Sequence, residues 1–281
     1  MSIDKGVLYV VATPIGNRED ISRRAIEILR SVDLIAAEDT RHSGPLLRQL
    51  GIETPLLAFH EHNERRVLDK LIGRLLAGDS MALISDAGTP LISDPGFPLV
   101  RECHRRGLRV SPLPGASALV CALSAGGLPT DRFLFAGFPA RNGAARREQL
   151  RGLAQEPGTL VFYESSHRVR ACLADMAEVF GDARPAVLAR ELTKLHETIV
   201  NADVGALRRL LEADPLQRKG EFVILIAGAP SQQGELSPES VRILRILGEE
   251  LPLKQAAALA ARITGEKKNL LYRLALDWKE T

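Results

Sequence analysis

The chain has 281 residues, 45% of them hydrophobic and 26% charged, with a net charge of +2. This apolar content supports one large core or two ordinary domains, and the balanced charge neither requires nor excludes a nucleic-acid partner. The three scattered cysteines form no CxxC pair, which argues against a zinc site, and the apolar run Val7–Ala12 is far too short to span a membrane. We therefore expect a reduced, soluble, cytoplasmic protein.

The first part of the chain alternates short apolar runs, typical of buried strands, with amphipathic segments, typical of helices. The runs predict strands over 7–13, 33–38, 55–59, 81–85 and 108–113. The segments predict helices over 20–32, 42–52, 65–79 and 97–107, with Asp20 as the N-cap of the first helix. An alternation of strand and helix predicts a parallel sheet that carries helices on both faces.

The second half repeats this alternation more loosely. Its apolar runs predict strands over 133–138, 159–165, 185–191, 197–203 and 221–228. The segment Ser231–Ser240 is polar and rich in turn residues, and three helical patterns follow it, over 241–251, 254–265 and 267–278. The sequence therefore predicts an α/β fold in three parts: an N-terminal α/β domain 1–116, a second α/β domain 117–230, and a linker with a small helical tail 231–281.

Polar or Gly/Pro-rich stretches follow each of the first five predicted strands. They are TPIGN (13–17), EDTRH (38–42), HEHNE (60–64), SDAGTP (85–90) and PLPGAS (112–117). In a parallel sheet these stretches all leave the carboxyl edge, which is where open α/β sheets bind ligands. We therefore expect a ligand site at this edge.

The fourth of these stretches begins a near-repeat, LISDAGTP followed by LISDPGFP. In the first copy, Gly88 permits a close approach of the backbone to a ligand and Asp86 offers an acceptor, so this copy is expected to shape the pocket. In the second copy, Ser93 or Asp94 is expected to cap the following helix, with Pro95 early in its first turn. Neither GxGxxG nor GxxxxGK[ST] occurs, so a cradle for nucleotide phosphates is not supported.

Eight stretches between Leu8 and Ile226 carry a family resemblance. They are LYVVATPIGN, AEDTRHS, FHEHNE, LISDAGTPLISDPG, PLPGASA, FYESSHR, ARELTKLHE and GEFVILI. In these stretches the chain resembles the tetrapyrrole methylase superfamily of S-adenosylmethionine-dependent methyltransferases, and within it the branch that acts on ribosomal RNA.

The resemblance implies two α/β domains with S-adenosyl-L-methionine in the cleft between them. It implies 2′-O-methylation of a cytidine ribose in the decoding region of small-subunit (16S) ribosomal RNA, with 16S ribosomal RNA or the small ribosomal subunit as partner, and a homodimer. The cofactor residues of the family fall on Pro14, Asp86, Thr89, Ser117, Ala118, Tyr163 and Leu192.

The chain departs from the tetrapyrrole-modifying branch in two places. That branch has a Gly-rich first loop ending in an acid, where this chain has ATPIGN, and Gly-Asp-Pro after the fourth strand, where this chain has Ser85-Asp86-Ala87. Both departures argue against a porphyrin-like substrate and suit the RNA branch.

Methylation of a ribose hydroxyl needs a base, or a cation that stabilises the developing alkoxide, because the hydroxyl is a poor nucleophile near neutral pH. The candidates are Lys194, Glu38, Asp39 and Arg41, with His60, Glu61, Glu191 and His196 as further polar groups of the same loops. Asp39 and Glu38 could instead pair with Arg41 or Arg18. Tyr163 could be core packing. A metal at HEHNE is disfavoured, since His60 and His62 would point to opposite sides of an extended segment.

Two basic segments are candidates for RNA contact, although either could be a solvated surface. RNGAARREQLR (141–151) holds four arginines, and the tail has a helix-turn-helix pattern with Lys267, Lys268 and Arg273 on its last helix.

A methyltransferase of the same fold could act instead on a small molecule, such as a corrinoid precursor, or on a protein, but such substrates need neither segment. A third interpretation is a binding protein without catalysis, which would have no affinity for the cofactor.

Overall fold

The computed structural model describes residues 4–230, 236 and 238–280. The chain divides into two compact units, Met1–Ala229 and Pro230–Thr281. Most of the predicted linker lies outside the described residues, and its last three residues begin a helix. Among the described residues, no helix combines the length and apolar character needed to cross a bilayer.

The first sheet is parallel throughout, as the sequence predicted. Its strands are β1 (Val7–Val11), β2 (Leu34–Ala37), β3 (Leu56–Ala58), β4 (Met81–Ile84) and β5 (Arg109–Leu113), in the order β3-β2-β4-β1-β5. Every residue of β2 and β4 is apolar and buried. Unbroken apolar runs of this kind are typical of parallel strands covered on both faces.

Helices cover both faces of this sheet. They are α1 (Arg23–Ser31), α2 (Thr40–Gln49), α3 (Glu64–Leu76) and α4 (Phe97–Arg105). On one face Tyr9 packs with α1 and α2, and on the other Leu8 packs with α3 and α4. Adjacent residues of β1 serve opposite cores because successive side chains of a strand point to opposite faces.

The structure corrects both predicted helix caps of this half. Asp20 ends a 3₁₀ turn, and the residue that caps α1 is Ser22, whose hydroxyl accepts a hydrogen bond from Ala25 N–H at 3.1 Å. Helix α4 begins after Gly96, so neither Ser93 nor Asp94 caps it. Asp94 precedes a proline, which disfavours helical backbone, and Gly96 has a φ of +130°, which delays the helix further.

The second sheet is mixed. Its strands are β6 (Phe133–Gly137), β7 (Thr159–Ser165), β8 (Pro185–Arg190), β9 (Thr198–Asp203) and β10 (Glu221–Ile226), in the order β6-β7-β10-β8-β9. Only β6 and β7 pair in parallel among these strands, and the other three pairs are antiparallel. The segment 191–197 between β8 and β9 is short, which suits an antiparallel connection.

The two faces of the second sheet serve different purposes. Helices α6 (Gly143–Gly152), α7 (Val169–Phe180) and α8 (Val204–Ala213) bury one face in a single apolar core. Helix α5 (Ala118–Gly126) lies on the other face, in a cluster that also contains Ile15 from the loop after β1. This shared cluster brings the polar edge of the first sheet against the second sheet.

The second unit consists of α9 (Pro238–Glu250), α10 (Leu253–Thr264) and α11 (Lys268–Glu280). Its core combines Leu244 and Leu271 with four alanines, and small residues allow helices to approach closely. Gly265 ends α10 with a left-handed φ of +77°. The predicted helical tail is therefore confirmed.

Ion pairs engage part of the arginine-rich segment 141–151, whereas Arg141 and Arg151 are exposed. Arg146 is buried and donates from Nε to the Asp175 carboxylate at 2.6 Å, and Arg147 reaches the other oxygen of Asp175 at 2.8 Å. Arg151 pairs with Glu148 at 3.3 Å. Asp175 lies on α7, far in sequence from the arginines that it binds. A count of the arginines in the segment 141–151 therefore overstates the free positive charge of that segment.

We expect Asp175→Ala to destabilise the first unit by about 3–5 kcal/mol, because it leaves the buried Arg146 guanidinium without its partner. Urea unfolding followed by circular dichroism measures the change. Glu148→Ala removes the partner of an exposed pair and serves as control, with an expected change of about 0.5 kcal/mol or less. Equal effects of the two substitutions would contradict a structural role for the Arg146–Asp175 pair.

Candidate functional site

A cavity of about 460 Å³ lies within the first unit, where the carboxyl edge of the first sheet meets the second sheet. The size is within the usual range for a small-molecule site. The first half contributes Ile15, Glu38, Asp86, Ala87, Gly88, Thr89, Ile92, Ser93 and Asp94. The second half contributes Ser117, Ala118, Phe138, Tyr163, Glu164, Ser165, Ala189, Leu192, Lys194, Glu221, Phe222 and Val223.

Most of the residues expected to hold the cofactor line this cavity. They are Asp86, Thr89, Ser117, Ala118, Tyr163 and Leu192. Pro14 is absent from the lining among the described residues, and its neighbour Ile15 takes that place. The structure thus brings together residues that are up to 106 positions apart in the sequence, between Asp86 and Leu192.

The four expected catalytic residues separate into two pairs. Glu38 and Lys194 line the cavity. Asp39 instead caps α2 by accepting from Arg41 N–H at 2.8 Å, and it forms an ion pair with the same arginine, whose side chain is 89% exposed. The hydrogen bond from the Arg41 side chain holds the pKa of Asp39 well below its usual range. The alternative interpretation, in which Asp39 simply pairs with Arg41, is the one that the structure favours.

Two backbone hydrogen bonds fix the loop after β4 against the loop after β1. Thr13 N–H donates to the Gly88 carbonyl at 2.9 Å, and Gly88 N–H donates to the Thr13 carbonyl at 3.0 Å. Gly88 has a φ of +83°, and a Cβ there would lie 3.2 Å from Ile15 Cγ2. Glycine is therefore required both by the left-handed backbone and by the close approach of Ile15.

Three carboxylates of the first half face the cavity. Asp86 accepts from Asp39 N–H at 3.1 Å, and Glu38 accepts from Asp86 N–H at 3.4 Å. Burial raises the pKa of Glu38, and burial together with the charges of Glu38 and Asp86 raises the pKa of Asp94 to about 7. Within residues 4–230, no arginine or lysine forms an ion pair with any of the three. This wall therefore favours a cationic ligand or a bound proton.

Asp94, predicted as a helix cap, instead lines the cavity. Leu91 and Ser93 beside it have left-handed φ values of 73° and 70°, which non-glycine residues seldom adopt. Such backbone strain clusters at functional sites. The signal was present in the repeated Ser-Asp pair, because both copies of the repeat contribute to the same cavity.

The opposite wall presents one lysine with two acidic partners. Lys194 Nζ donates to Glu191 Oε1 at 2.9 Å and to Glu221 Oε2 at 2.7 Å. Burial lowers the pKa of Lys194, but its hydrogen bonds to Glu221 and Glu191 have the larger combined effect, so the pKa is raised. The same loop reaches the first half, where Thr193 Oγ1 accepts from Asn17 N–H at 3.0 Å. Lys194 is therefore a protonated cation held in place.

Comparison with known proteins identifies the family. A family model described as Tetrapyrrole (Corrin/Porphyrin) Methylases matches residues 7–208, which include both walls of the cavity up to Lys194. The chain belongs to the tetrapyrrole methylase family. A second model, described as the RsmI C-terminal HTH domain, matches residues 234–279 of this tetrapyrrole methylase. The family resemblance and the helix-turn-helix pattern inferred from the sequence are confirmed.

Two curated relatives match the tetrapyrrole methylase along nearly its full length. Ribosomal RNA small subunit methyltransferase I of Pseudomonas aeruginosa is 56% identical over 274 residues, covering 97% of both chains. The protein of the same name from Escherichia coli O157:H7 is 52% identical, covering 97% of this chain and 96% of its own. These matches include the helical tail as well as the α/β unit.

Solved structures show the same fold at low sequence identity. Uroporphyrin-III-C-methyltransferase from Thermus thermophilus superposes with a TM-score of 0.55 at 21% identity, covering 79% of this chain and 94% of its own. The same enzyme complexed with S-adenyl homocysteine gives a TM-score of 0.53 at 19% identity, covering 78% and 96%. The predicted two-sheet α/β fold of the tetrapyrrole methylases is therefore confirmed.

Tyr163 combines packing with a satisfied hydroxyl. Its hydroxyl oxygen accepts a hydrogen bond from Leu119 N–H, at the start of α5, at 3.2 Å. Its ring contacts those of Phe135 and Phe138 edge to face, with centroid distances of 4.9 and 5.6 Å. Phe138 lines the cavity and is still 52% exposed. An exposed aromatic ring at a cavity wall offers a surface on which a flat ligand group can stack.

The histidines of HEHNE do not point apart as predicted. Their segment forms a turn before α3, in which Asn63 Oδ1 accepts from His60 N–H at 2.9 Å, and the turn brings the rings of His60 and His62 to 5.9 Å, edge to face. Neither histidine lines the cavity. Among the described residues, no three His, Cys, Asp or Glu side chains are grouped so as to hold a metal ion.

We expect Asp94→Asn to stabilise the protein above pH 7 and to have little effect near pH 4. The pKa of about 7 in the folded protein lies above the ordinary value of 3.8 for an aspartate, so the native state binds more protons between these pH values and loses stability as pH rises. The amide removes that loss. Because Asp94 is only half-buried, we expect on the order of 1–2 kcal/mol, not the roughly 4 kcal/mol of full burial.

Urea unfolding at pH 4.5 and pH 8 measures this difference. Asp131→Asn, at an exposed aspartate outside the cavity, is the matched control and should change stability equally little at both pH values. Asparagine caps a helix as well as aspartate does, so a cap role for Asp94 would instead leave the stability of Asp94→Asn unchanged at both pH values.

Proposed function

We propose that the protein transfers the methyl group of S-adenosyl-L-methionine to 16S ribosomal RNA, with the 2′-hydroxyl of a cytidine ribose in the decoding region as acceptor. The observation that carries this proposal is the match of both parts of the chain, α/β unit and helical tail, to relatives named Ribosomal RNA small subunit methyltransferase I. The finer assignment to a cytidine 2′-oxygen rests on the family resemblance of the sequence motifs.

The cavity suits this cofactor in charge as well as in size. S-adenosyl-L-methionine is a sulfonium and carries an ammonium group, and the cavity carboxylates Glu38 and Asp86 have no cationic partner within residues 4–230. Ser117 and Ala118 begin α5, and the free N–H groups of a helix N-terminus favour an anionic group such as the cofactor carboxylate. Thr89, Tyr163 and Leu192 complete the proposed contacts.

Lys194 is proposed to stabilise the acceptor oxygen as it loses its proton. Its ammonium group lines the cavity and is oriented by Glu191 and Glu221, so it requires little reorganisation during the reaction. One oriented donor of this kind is worth on the order of 3 kcal/mol in a transition state. When bound, the cofactor supplies the electrophilic methyl group, and the protein's part is to hold the acceptor in line with it.

The alternative substrates are less well supported. A small corrinoid precursor needs no nucleic-acid module, yet residues 234–279 match an HTH domain. A binding protein without catalysis would not need an oriented, protonated lysine in the same cavity as unpaired carboxylates. The homodimer and the cytoplasmic location remain predictions from the sequence.

The proposal is tested by incubating the protein with isotopically labelled S-adenosyl-L-methionine and either naked 16S ribosomal RNA or small subunits. A 2′-O-methyl group protects the following phosphodiester from alkaline hydrolysis, so the labelled position can be mapped as an uncut bond. Label in a cytidine at such a bond supports the proposal. Label confined to protein or to a base, or no label in RNA, contradicts it.

We expect Asp86→Ala to weaken cofactor binding at least tenfold while the fold persists, because it removes a negative charge from the cavity wall. Isothermal titration calorimetry with S-adenosyl-L-methionine measures the affinity. Asp86→Asn keeps an oxygen that can accept from Asp39 N–H, so a similar loss in this variant assigns the effect to charge. Asp69→Ala, at an exposed position of α3, should bind as the wild type does, and equal affinities for all four proteins would remove Asp86 from the site.

Deletion of residues 230–281 should leave a folded protein that binds the cofactor but methylates ribosomal RNA at least tenfold more slowly. The reason is that the first unit contains the whole cavity, whereas the second unit matches an HTH domain. Calorimetry and methyl-transfer assays on the truncated chain separate the two properties. Methylation at the wild-type rate would show that the tail does not serve substrate binding.

A further inference from the structure

Asp94 occupies a place in the cavity that neither a structural role nor cofactor binding explains. We propose that the Asp94 carboxylate is the general base that removes the proton from the acceptor hydroxyl during methyl transfer. This inference rests on the proposed function and names the residue that the reaction still lacks, since Lys194 stabilises negative charge but is protonated and accepts no proton.

The other two carboxylates of the wall are engaged by backbone donors. Asp39 N–H donates to Asp86 at 3.1 Å, and Asp86 N–H donates to Glu38 at 3.4 Å, so these two side chains form one hydrogen-bonded chain along the first sheet. Such donors orient these two carboxylates and occupy one oxygen of each. For Asp94 the partner is a side chain, the Ser85 hydroxyl, whose hydrogen bond favours the charged form. Asp94 is therefore the most available proton acceptor of the three.

Asp94 also faces the second sheet. Its charge acts on the Tyr163 hydroxyl of β7 and, with the stronger effect of burial, raises the pKa of that tyrosine. An acceptor between the two walls would thus have Asp94 on one side and the wall that carries Lys194 on the other. The left-handed backbone at Leu91 and Ser93 holds Asp94 in this place, and strain of this kind persists where the surrounding structure enforces it.

The proposed step balances in atoms and charge. The ribose oxygen forms a bond to the methyl carbon while the bond from that carbon to sulfur breaks. The electron pair of the broken bond remains on sulfur, which becomes a neutral thioether. The hydroxyl proton passes to an oxygen of Asp94, and the resulting carboxylic acid later returns the proton to water.

The surroundings of Asp94 set its proton affinity at a useful level. Burial first, and then the charges of Glu38 and Asp86, raise its pKa to about 7, and the Ser85 hydroxyl partly offsets this. The other ionisable groups of the cavity are Tyr163, Glu164, Lys194 and Glu221, with Glu164 next to Arg168 and Glu221 next to Lys194. A base whose pKa lies near the working pH combines basicity with a large deprotonated fraction.

The test is the single-turnover rate of methyl transfer to ribosomal RNA between pH 5.5 and 8.5, at saturating cofactor and RNA. For the wild type we expect the rate to rise by up to tenfold per pH unit at low pH and then to level off, because only the carboxylate can accept the proton. Asp94→Asn should be slower by about 10²–10⁴-fold at pH 8 and should lose this rise. Asp94→Glu should recover part of the rate, and Asp131→Asn should match the wild type.

Cofactor affinity by calorimetry, measured on the same variants, should stay within about threefold of the wild type. Three results would overturn the assignment: a wild-type rate and pH profile for Asp94→Asn, a rate loss that follows a matching loss of cofactor affinity, or no recovery in a folded Asp94→Glu protein. If the wild type itself does not methylate ribosomal RNA, the proposed function fails and this inference fails with it. An active wild type with an unaffected Asp94→Asn variant refutes the base alone.

Discussion

The cavity depends on the pair of backbone hydrogen bonds that joins Thr13 to Gly88. These bonds hold the loops after β1 and β4 together at the carboxyl edge of the first sheet. They also place Ile15 against the cluster on the second sheet that contains Leu119 and Val223. The two bonds have ordinary lengths and join the loops into one wall, at a place where the left-handed φ of Gly88 suits no side chain well. The carboxylates and the apolar floor take their positions from it.

The two walls of the cavity differ in how their charges are matched. On the second sheet, Lys194 is held by two carboxylates, so that wall is already compensated. On the first sheet, Glu38, Asp86 and Asp94 have no cation in contact within residues 4–230. A buried charge without a partner is costly unless a ligand or a proton supplies the balance. This asymmetry makes the cavity suitable for a cationic methyl donor and gives one carboxylate a pKa suited to proton transfer.

Under the proposed function, the cavity and the HTH domain lie in different units of the chain. All lining residues of the cavity fall between Ile15 and Val223, within the first unit, and the HTH match lies wholly in the second. The arginine-rich segment of the first unit contributes less free charge than its composition suggests, since Arg146 is buried against Asp175. Arg273, an exposed residue of the tail, is a further candidate for RNA contact under the proposed function.

Much of this protein follows from its sequence, because the determining signals are local. Apolar runs alternating with amphipathic segments predicted the strands and the parallel first sheet, and the polar stretch after each strand predicted the edge that holds the cavity. The family motifs gathered Asp86, Thr89 and Tyr163 into one proposed site. The mixed pairing of the second sheet was not predicted, because strand direction depends on partners far apart in the chain.

Only the tertiary structure decided which polar residues share the cavity. In sequence, Asp39 and Asp94 both sit where a cap or a functional group could lie. The fold places Asp39 at the start of α2, paired with Arg41, and places Asp94 among unpaired carboxylates. Burial and the charges of Glu38 and Asp86, 56 and 8 positions away, determine its proton affinity. Such distances in sequence become contacts only after folding, so the proton affinity of a carboxylate is a property of the folded chain and not of a motif.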